Sequence, residues 1–274
     1  MNYSNLRKIN QTSKKKRTAA LNADLDDWRH SPYTALKSRF FFEISTVIVY
    51  FLQFTPIKAN WVTLLYAALG IISALLLGSG IDSVIIAGVV VIFFRNILDW
   101  IDGPLARIKK QSSNLGEILD DWCAIVGSFG FLVGLGMYLY NATQEIHFIY
   151  LILILITVRA IDLKDYAYHR TMYYFYKSNI STKKLRNKRK KNIQKGQNIS
   201  SVLIKLKNFF QNFLDDRARS NDFICLVILV ELHYNQIFLT NFIYYLIVFK
   251  YIMLFLGGFY LVYFQNLVEK LNSK

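Results

Sequence analysis

Apolar residues along this chain are gathered into long runs separated by short polar breaks, the pattern of a helical membrane protein rather than of a soluble domain. Runs over 61–77, 83–98, 115–140, 146–159, 222–232 and 238–264 predict six membrane-spanning helices, the fourth persisting past Arg159 into Asp162, Lys164 and Asp165. Gly78-Ser79-Gly80 breaks the first run from the second, and a short turn around Asn235 separates the last two. The stretch 33–54 is different. It carries Lys37, Arg39 and Glu43 early and aromatic residues throughout, which suits a helix lying in the membrane interface better than a span, and Thr55-Pro56 should end it. Residues 1–32 form a polar tail that is expected to be mobile. The fold class predicted is therefore all-α and polytopic: the tail, the interfacial helix, and a six-helix membrane domain over 55–274 with a basic insertion at 177–220.

Composition agrees. Of 274 residues 54% are hydrophobic and only three are proline, and the mean hydropathy is +0.27. The net charge of +15 points to anionic lipid and phosphorylated substrates, not nucleic acid, because it accompanies apolar spans. Cys123 and Cys225 both fall in apolar segments and form no disulfide framework. Lys and Arg are missing from 78–82, 140–146 and 233–240, whereas the N-terminus, the 107–110 turn and 160–220 are rich in them. The positive-inside rule then places both termini and the 99–120 region in the cytoplasm. Asn141-Ala142-Thr143 spells a glycosylation acceptor on the other side and is read as a chance match.

One stretch concentrates the chemistry. Asp99, Asp102 and Asp120 are carboxylates at the margin of apolar segments, where ionisable groups are kept for function. Asp99 and Asp102 share a helical face, and a tight turn before the helix that carries Asp120 would bring all three together. Converging hard oxygen ligands favour Mg²⁺ or Mn²⁺, and a chain with two Cys and four His offers little for zinc. Arg95, four residues before Asp99, is expected to face the polar cavity, to pair with Asp99 or to snorkel. Gly127, Gly130, Gly134 and Gly136 make the third span slim enough for close packing.

The run from Asp99 through Asp102, Gly103, Ala106, Arg107, Gly116 and Asp120 resembles the signature D-x2-D-G-x2-A-R-x8-G-x3-D-x3-D of the CDP-alcohol phosphotransferase family. Thr55-Pro56-Ile57-Lys58-Ala59-Asn60-Trp61-Val62-Thr63 is similar to that family's lead into its first span, with Ala59 where a second proline is common. The resemblance implies an enzyme that binds a CDP-alcohol or CDP-diacylglycerol donor, passes its phosphoalcohol or phosphatidyl group to the hydroxyl of an alcohol or alcohol-phosphate acceptor, and releases CMP. It implies two divalent metals held by Asp99, Asp102 and Asp120, a nucleotide held by Asn60, Thr63, Asp102, Gly103, Ala106, Arg107 and Gly116, and a homodimer among membrane lipids. Plainer alternatives stand beside these: Asn60 as a helix cap, Thr63 bonding its own backbone, Gly103 ending a helix. A phosphorylated acceptor would need a basic site, for which Arg159, Lys164, Arg170, Arg217 and Arg219 are candidates; anchoring at the cytoplasmic surface is the alternative for each.

Ala124 departs from the pattern. The family's fourth aspartate, a metal ligand and presumed general base, falls there, and alanine serves in neither capacity. The position fits an introduced substitution that traps substrate, a site with a surrogate base such as Glu117, or a non-catalytic homologue that retains the nucleotide pocket.

Overall fold

In a computed structural model, residues 2–21, 32–161 and 218–263 are described. The chain divides into two compact units, Met1–Gln144 with Asp216–Ile237 and Glu145–Asp215 with Phe238–Lys274. All regular structure among the described residues is helical.

The first unit holds α1 (Tyr3–Leu21), α2 (Pro32–Leu52), α3 (Ala59–Leu77), α4 (Asp82–Arg95), α5 (Leu98–Ile108), α6 (Asn114–Thr143) and, after the second unit's first helix, α8 (Ala218–Tyr234). The second holds α7 (His147–Ala160) and α9 (Phe238–Tyr263), which pack together. Four described segments are long and apolar enough to cross a membrane: α3, the joined α4 and α5, α6, and α9 as Phe238–Tyr260. The expectation of six is not met by length and composition among these residues. At 1.5 Å per residue the 14-residue α7 spans only about 21 Å, short of the roughly 30 Å hydrocarbon layer.

Against the expected mobile tail, α1 is a 19-residue helix, and it packs on α2. Its sequence is too polar to announce a buried helix. What docks it is one side chain: Leu6 is fully buried in a cluster with Phe41 and Val49 of α2, Ala59 and Val62 of α3, and Ile101 and Leu105 of α5. Arg7 adds a forked pair with Glu43, its Nε donating at 3.2 Å and its Nη2 at 2.5 Å, and Tyr3 meets Tyr50 edge-on at 5.7 Å. That pair draws the Arg7 guanidinium up from its ordinary value.

A second tie joins α2 to α8. Lys37 donates to the Asp222 carboxylate, which also accepts from the Tyr33 hydroxyl at 2.5 Å. Burial pushes Lys37 below its usual range while Asp222 draws it back up; burial and then Asp222 push Tyr33 up. Lys37 also lies over the rings of Phe41 and Phe93, at 4.9 and 5.3 Å.

The span expected to continue from 83 towards Arg107 with a kink at Pro104 breaks earlier. α4 ends at Arg95, α5 starts at Leu98, and the link tightens into three-residue bonds from the Ile97 amide to Phe94 and from the Trp100 amide to Ile97. Pro104 lies inside α5. α5 closes with the Gln111 amide donating to the Ala106 carbonyl at 2.7 Å, which puts Lys110 in the left-handed region at φ 55°.

α3 and α6 pack most closely. A methyl group added at Gly130 would lie 2.7 Å from the Gly70 carbonyl oxygen, and one at Gly134 would lie 2.7 Å from the Ala74 Cα. Gly130 and Gly134 thus serve contact within the chain. Asn141 ties the far end of this pair, its Nδ2 donating to the Gly78 carbonyl at 2.6 Å. An engaged amide nitrogen on a helix is poorly presented for glycosylation, in keeping with a chance match.

Candidate active site

The beginnings of α3 and α6 meet the middle of α5. α3 has no side-chain cap of its own; its first amide, at Ala59, donates to Gln111 Oε1 at 3.2 Å. Lys109 fixes the approach to it, its Nζ donating to the carbonyls of Thr55 and Ile57, both at 2.6 Å. Ser113 caps α6 by accepting from the Gly116 amide at 3.1 Å. These local ties leave Asn60 and Thr63, one turn apart on α3, facing α5 and α6.

Asp102 is the centre. It is 8% exposed; its Oδ2 accepts from the Thr63 hydroxyl at 2.9 Å, and its Oδ1 from the Gly103 amide at 2.5 Å. Thr63 also lies 3.3 Å from the Ala59 carbonyl, so the plain backbone bond is present, but the shorter contact is to Asp102. Asn60 does not cap the helix, since Lys58 occupies that position; its Oδ1 lies 3.5 Å from where a Cβ at Gly116 would stand.

Asp102 lies within the fields of Asp99 and Asp120. Tyr66 lies in the fields of all three carboxylates and of Arg95. Asp99 is exposed and Asp120 half-buried, so the carboxylates grade from the protein interior outwards.

Arg95 lies beneath them, 1% exposed, with Nη1 donating to the Gly127 carbonyl at 2.9 Å and the guanidinium 5.1 Å from the Tyr66 ring centre. The helix break after Arg95 removes the continuous register that would have aligned it with Asp99. Its charge instead fills a slot between two glycines, where a Cβ at Gly70 would stand 2.5 Å, and one at Gly127 2.7 Å, from Nη1.

Gly103 and Gly116 differ from those packing glycines. Among the described residues, a Cβ at Gly103 would meet only Arg107 Nη1 at 3.5 Å, and one at Gly116 only Ser113 Oγ at 3.4 Å and Asn60 Oδ1 at 3.5 Å. The protein itself has room for a methyl group at both.

Ala106 is half-buried and Arg107 exposed on the last turn of α5. Arg107, Lys109, Gln53, Phe54 and Ile9 line a cavity of about 560 Å³. Ala124 is exposed one turn beyond Asp120 on α6. Of the acceptor-site candidates, Arg159 is in the last turn of α7, in the second unit. Arg219 belongs to the first turn of α8, while Lys164, Arg170 and Arg217 lie outside the described residues, as does most of the 177–220 insertion.

Sequence reasoning missed Ser113, Lys109 and Gln111, which set the site's scaffold. Ser113 was readable as a cap three residues before Gly116; the other two carried no signal.

The donor chemistry fits a hard divalent metal, because the three interacting side chains are all carboxylates. Among the described residues, however, no group of three or more His, Cys, Asp or Glu side chains is gathered closely enough to hold one as they stand. The two oxygens of Asp102 are engaged with Thr63 and Gly103.

No curated protein and no solved structure matches the chain. A family model described as CDP-alcohol phosphatidyltransferase matches residues 57–214, a stretch that opens just before α3 and contains α3 to α7 with every signature residue. Four apolar helices, the carboxylate-bearing junction of α3, α5 and α6, and that match lead to one conclusion: the chain belongs to the CDP-alcohol phosphatidyltransferase family of membrane transferases of phosphate-containing groups, which generally use divalent metals.

Proposed function

We propose that this protein is a metal-dependent CDP-alcohol phosphotransferase whose site lacks its general base. The observation that carries this reading is the buried Asp102, fixed by Thr63 and within the fields of Asp99 and Asp120. Two Mg²⁺ or Mn²⁺ ions, when bound by Asp99, Asp102 and Asp120, would offset the negative charge of the diphosphate and of departing CMP. Thr63 holds Asp102 in one rotamer, and with Asn60 it borders the space for the cytidine. Gly103 and Gly116 leave the volume that a nucleotide needs and that the protein does not use itself. Ala106 keeps that wall low, and Arg107 bonds phosphate oxygens.

In the transfer, the acceptor oxygen forms a bond to the β-phosphorus, the bond from that phosphorus to the CMP oxygen breaks, and the acceptor proton must leave. An aspartate at position 124 would stand on the exposed face of α6 to take it; the methyl group of Ala124 does not. Charge placement puts the site, both termini and the basic insertion on the cytoplasmic side, with α2 lying in the interface and the protein working as a homodimer. The acceptor is an alcohol or an alcohol phosphate, the latter needing a basic site.

Ala124 favours one second reading, a non-catalytic membrane protein that binds a CDP-linked ligand. Ala124→Asp, incubated with a panel of CDP-alcohols and Mg²⁺ or Mn²⁺, is expected to release CMP at least about a hundredfold faster than the unaltered chain, the range for a positioned base. No gain would overturn the missing-base reading. Robust metal-dependent CMP release by the unaltered chain would eliminate the non-catalytic one.

A further inference from the structure

The cavity of about 560 Å³ beside Arg107 is walled by three parts of the first unit: Ile9 of α1, Gln53 and Phe54 just past α2, and Arg107, Ile108 and Lys109 at the end of α5. Its size falls within the roughly 300–1,000 Å³ of small-molecule sites. Two cations and an amide face three apolar side chains across it, and no Asp or Glu lines it.

Lys109 is the residue on which the reading turns. Its Nζ donates to the carbonyls of Thr55 and Ile57, both at 2.6 Å. An ammonium carries three N–H groups, so one is left for the cavity. Both of these partners are neutral, and the cavity wall supplies no carboxylate. The Lys109 charge therefore attracts an anion into the space.

A second observation gives the cavity its level in the membrane. The apolar segment Asp82–Ile108 ends at its edge, and the segment Ala59–Leu77 begins two residues after the Ile57 carbonyl that Lys109 holds. Two spans thus stop here, at the depth of the lipid headgroups. Phe54 is 68% and Ile9 45% exposed, so the apolar part of the wall is open to lipid and is not packed into the core.

We infer that this cavity holds the phosphate of an anionic membrane phospholipid, with Lys109 and Arg107 on its oxygens and its glyceride part against Phe54 and Ile9. A soluble phosphate would leave the apolar wall unmatched, and a zwitterionic headgroup would bring another cation to the two already there. Lys109 fixes the lead into α3 and Ile9 belongs to α1, so the lipid braces both beside the end of α2. Neither Asp102 nor a metal takes part, and the inference does not rest on the transfer reaction.

The test is retention of radiolabelled phosphatidylglycerol by the full chain in phosphatidylcholine–detergent micelles, with unlabelled competitors. One phosphatidylglycerol per chain is expected, displaced by unlabelled phosphatidylglycerol but not by millimolar glycerol 3-phosphate. Lys109→Gln should weaken retention at least about fivefold, the worth of one cation at a membrane surface. Ile9→Glu, which sets a carboxylate in the wall, should weaken it further, while Ile9→Gln keeps it. Ile9 is exposed, so its pair of variants carries the test should Lys109→Gln fail to fold. Lys110→Gln, a neighbouring cation that does not line the cavity, and Asp102→Asn should both leave retention unchanged. Displacement by phosphatidylcholine or by glycerol 3-phosphate, equal retention by the two Ile9 variants, an equal effect of Lys109→Gln and Lys110→Gln, or loss in Asp102→Asn alone would each overturn the site.

Discussion

Thr63 donates its hydroxyl to Asp102 across the junction of α3 and α5, at 2.9 Å. One bond joins the first turns of the helix that leads the family match to the buried carboxylate of the signature. A hydrogen bond to a charged group contributes about 1.5–3 kcal/mol, so Thr63→Val should lower stability by roughly that amount. It should also reduce Mn²⁺-dependent binding of a CDP-alcohol, with Thr63→Ser keeping most of both. Thermal unfolding and nucleotide titration on the same samples check this; full binding in the valine variant would show that Thr63 does not set Asp102.

The two classes of glycine make opposite predictions. Gly70→Ala and Gly127→Ala place a methyl group against Arg95, and at Gly70 also 2.7 Å from the Gly127 Cα. Overpacking of this kind costs about 1–3 kcal/mol. Gly103→Ala and Gly116→Ala meet only ordinary contacts and gain helix propensity, so they should unfold no earlier than the unaltered chain and be more stable by up to about 1 kcal/mol. Their loss should be in CDP-alcohol binding. Melting temperatures read beside binding separate the classes, and unimpaired binding in the second pair would remove the nucleotide from that wall.

Legibility followed chemistry more closely than architecture. Asp99, Asp102, Gly103, Arg107, Gly116 and Asp120 were readable as a pattern because fixed spacing on helices leaves one; in the structure Thr63 bonds Asp102, and Asn60 lies close to Gly116. The break at Asn96 and Ile97 was not readable: it follows no Gly or Pro, and the proline that drew attention sits inside α5. α1 was missed because a polar helix docked through Leu6 is stabilised by tertiary contact and not by its own composition. Gly130 and Gly134, read as slimming the third span for close packing, lie against Gly70 and Ala74 of α3.

Lys37 and Asp222 should behave as a unit. Both side chains are buried, at 10% and 7% exposure. Lys37→Met leaves the Asp222 carboxylate with only the Tyr33 hydroxyl as its described donor, and removing one member of a buried pair costs about 3–5 kcal/mol. Lys37→Met with Asp222→Leu should recover most of that loss. A double-mutant cycle by thermal unfolding measures the coupling; additive losses would show that the two do not act together.

For α1 the anchor is the apolar side chain and not the ion pair. Leu6→Ala should cost about 2–5 kcal/mol of docking energy, whereas Arg7→Ala, which removes a solvent-exposed pair with Glu43, should change little. Limited proteolysis reports the difference: the Leu6 variant should be clipped near its N-terminus much faster than the Arg7 variant. Equal rates would shift the anchor to Arg7.

Ala124 stands in the open on α6, one turn past Asp120. A larger, charged side chain there would displace no neighbour and require no new backbone. Among the described residues nothing in the packing of α6 therefore depends on the size or charge of that side chain, so the Ala124→Asp variant should unfold at the temperature of the unaltered chain.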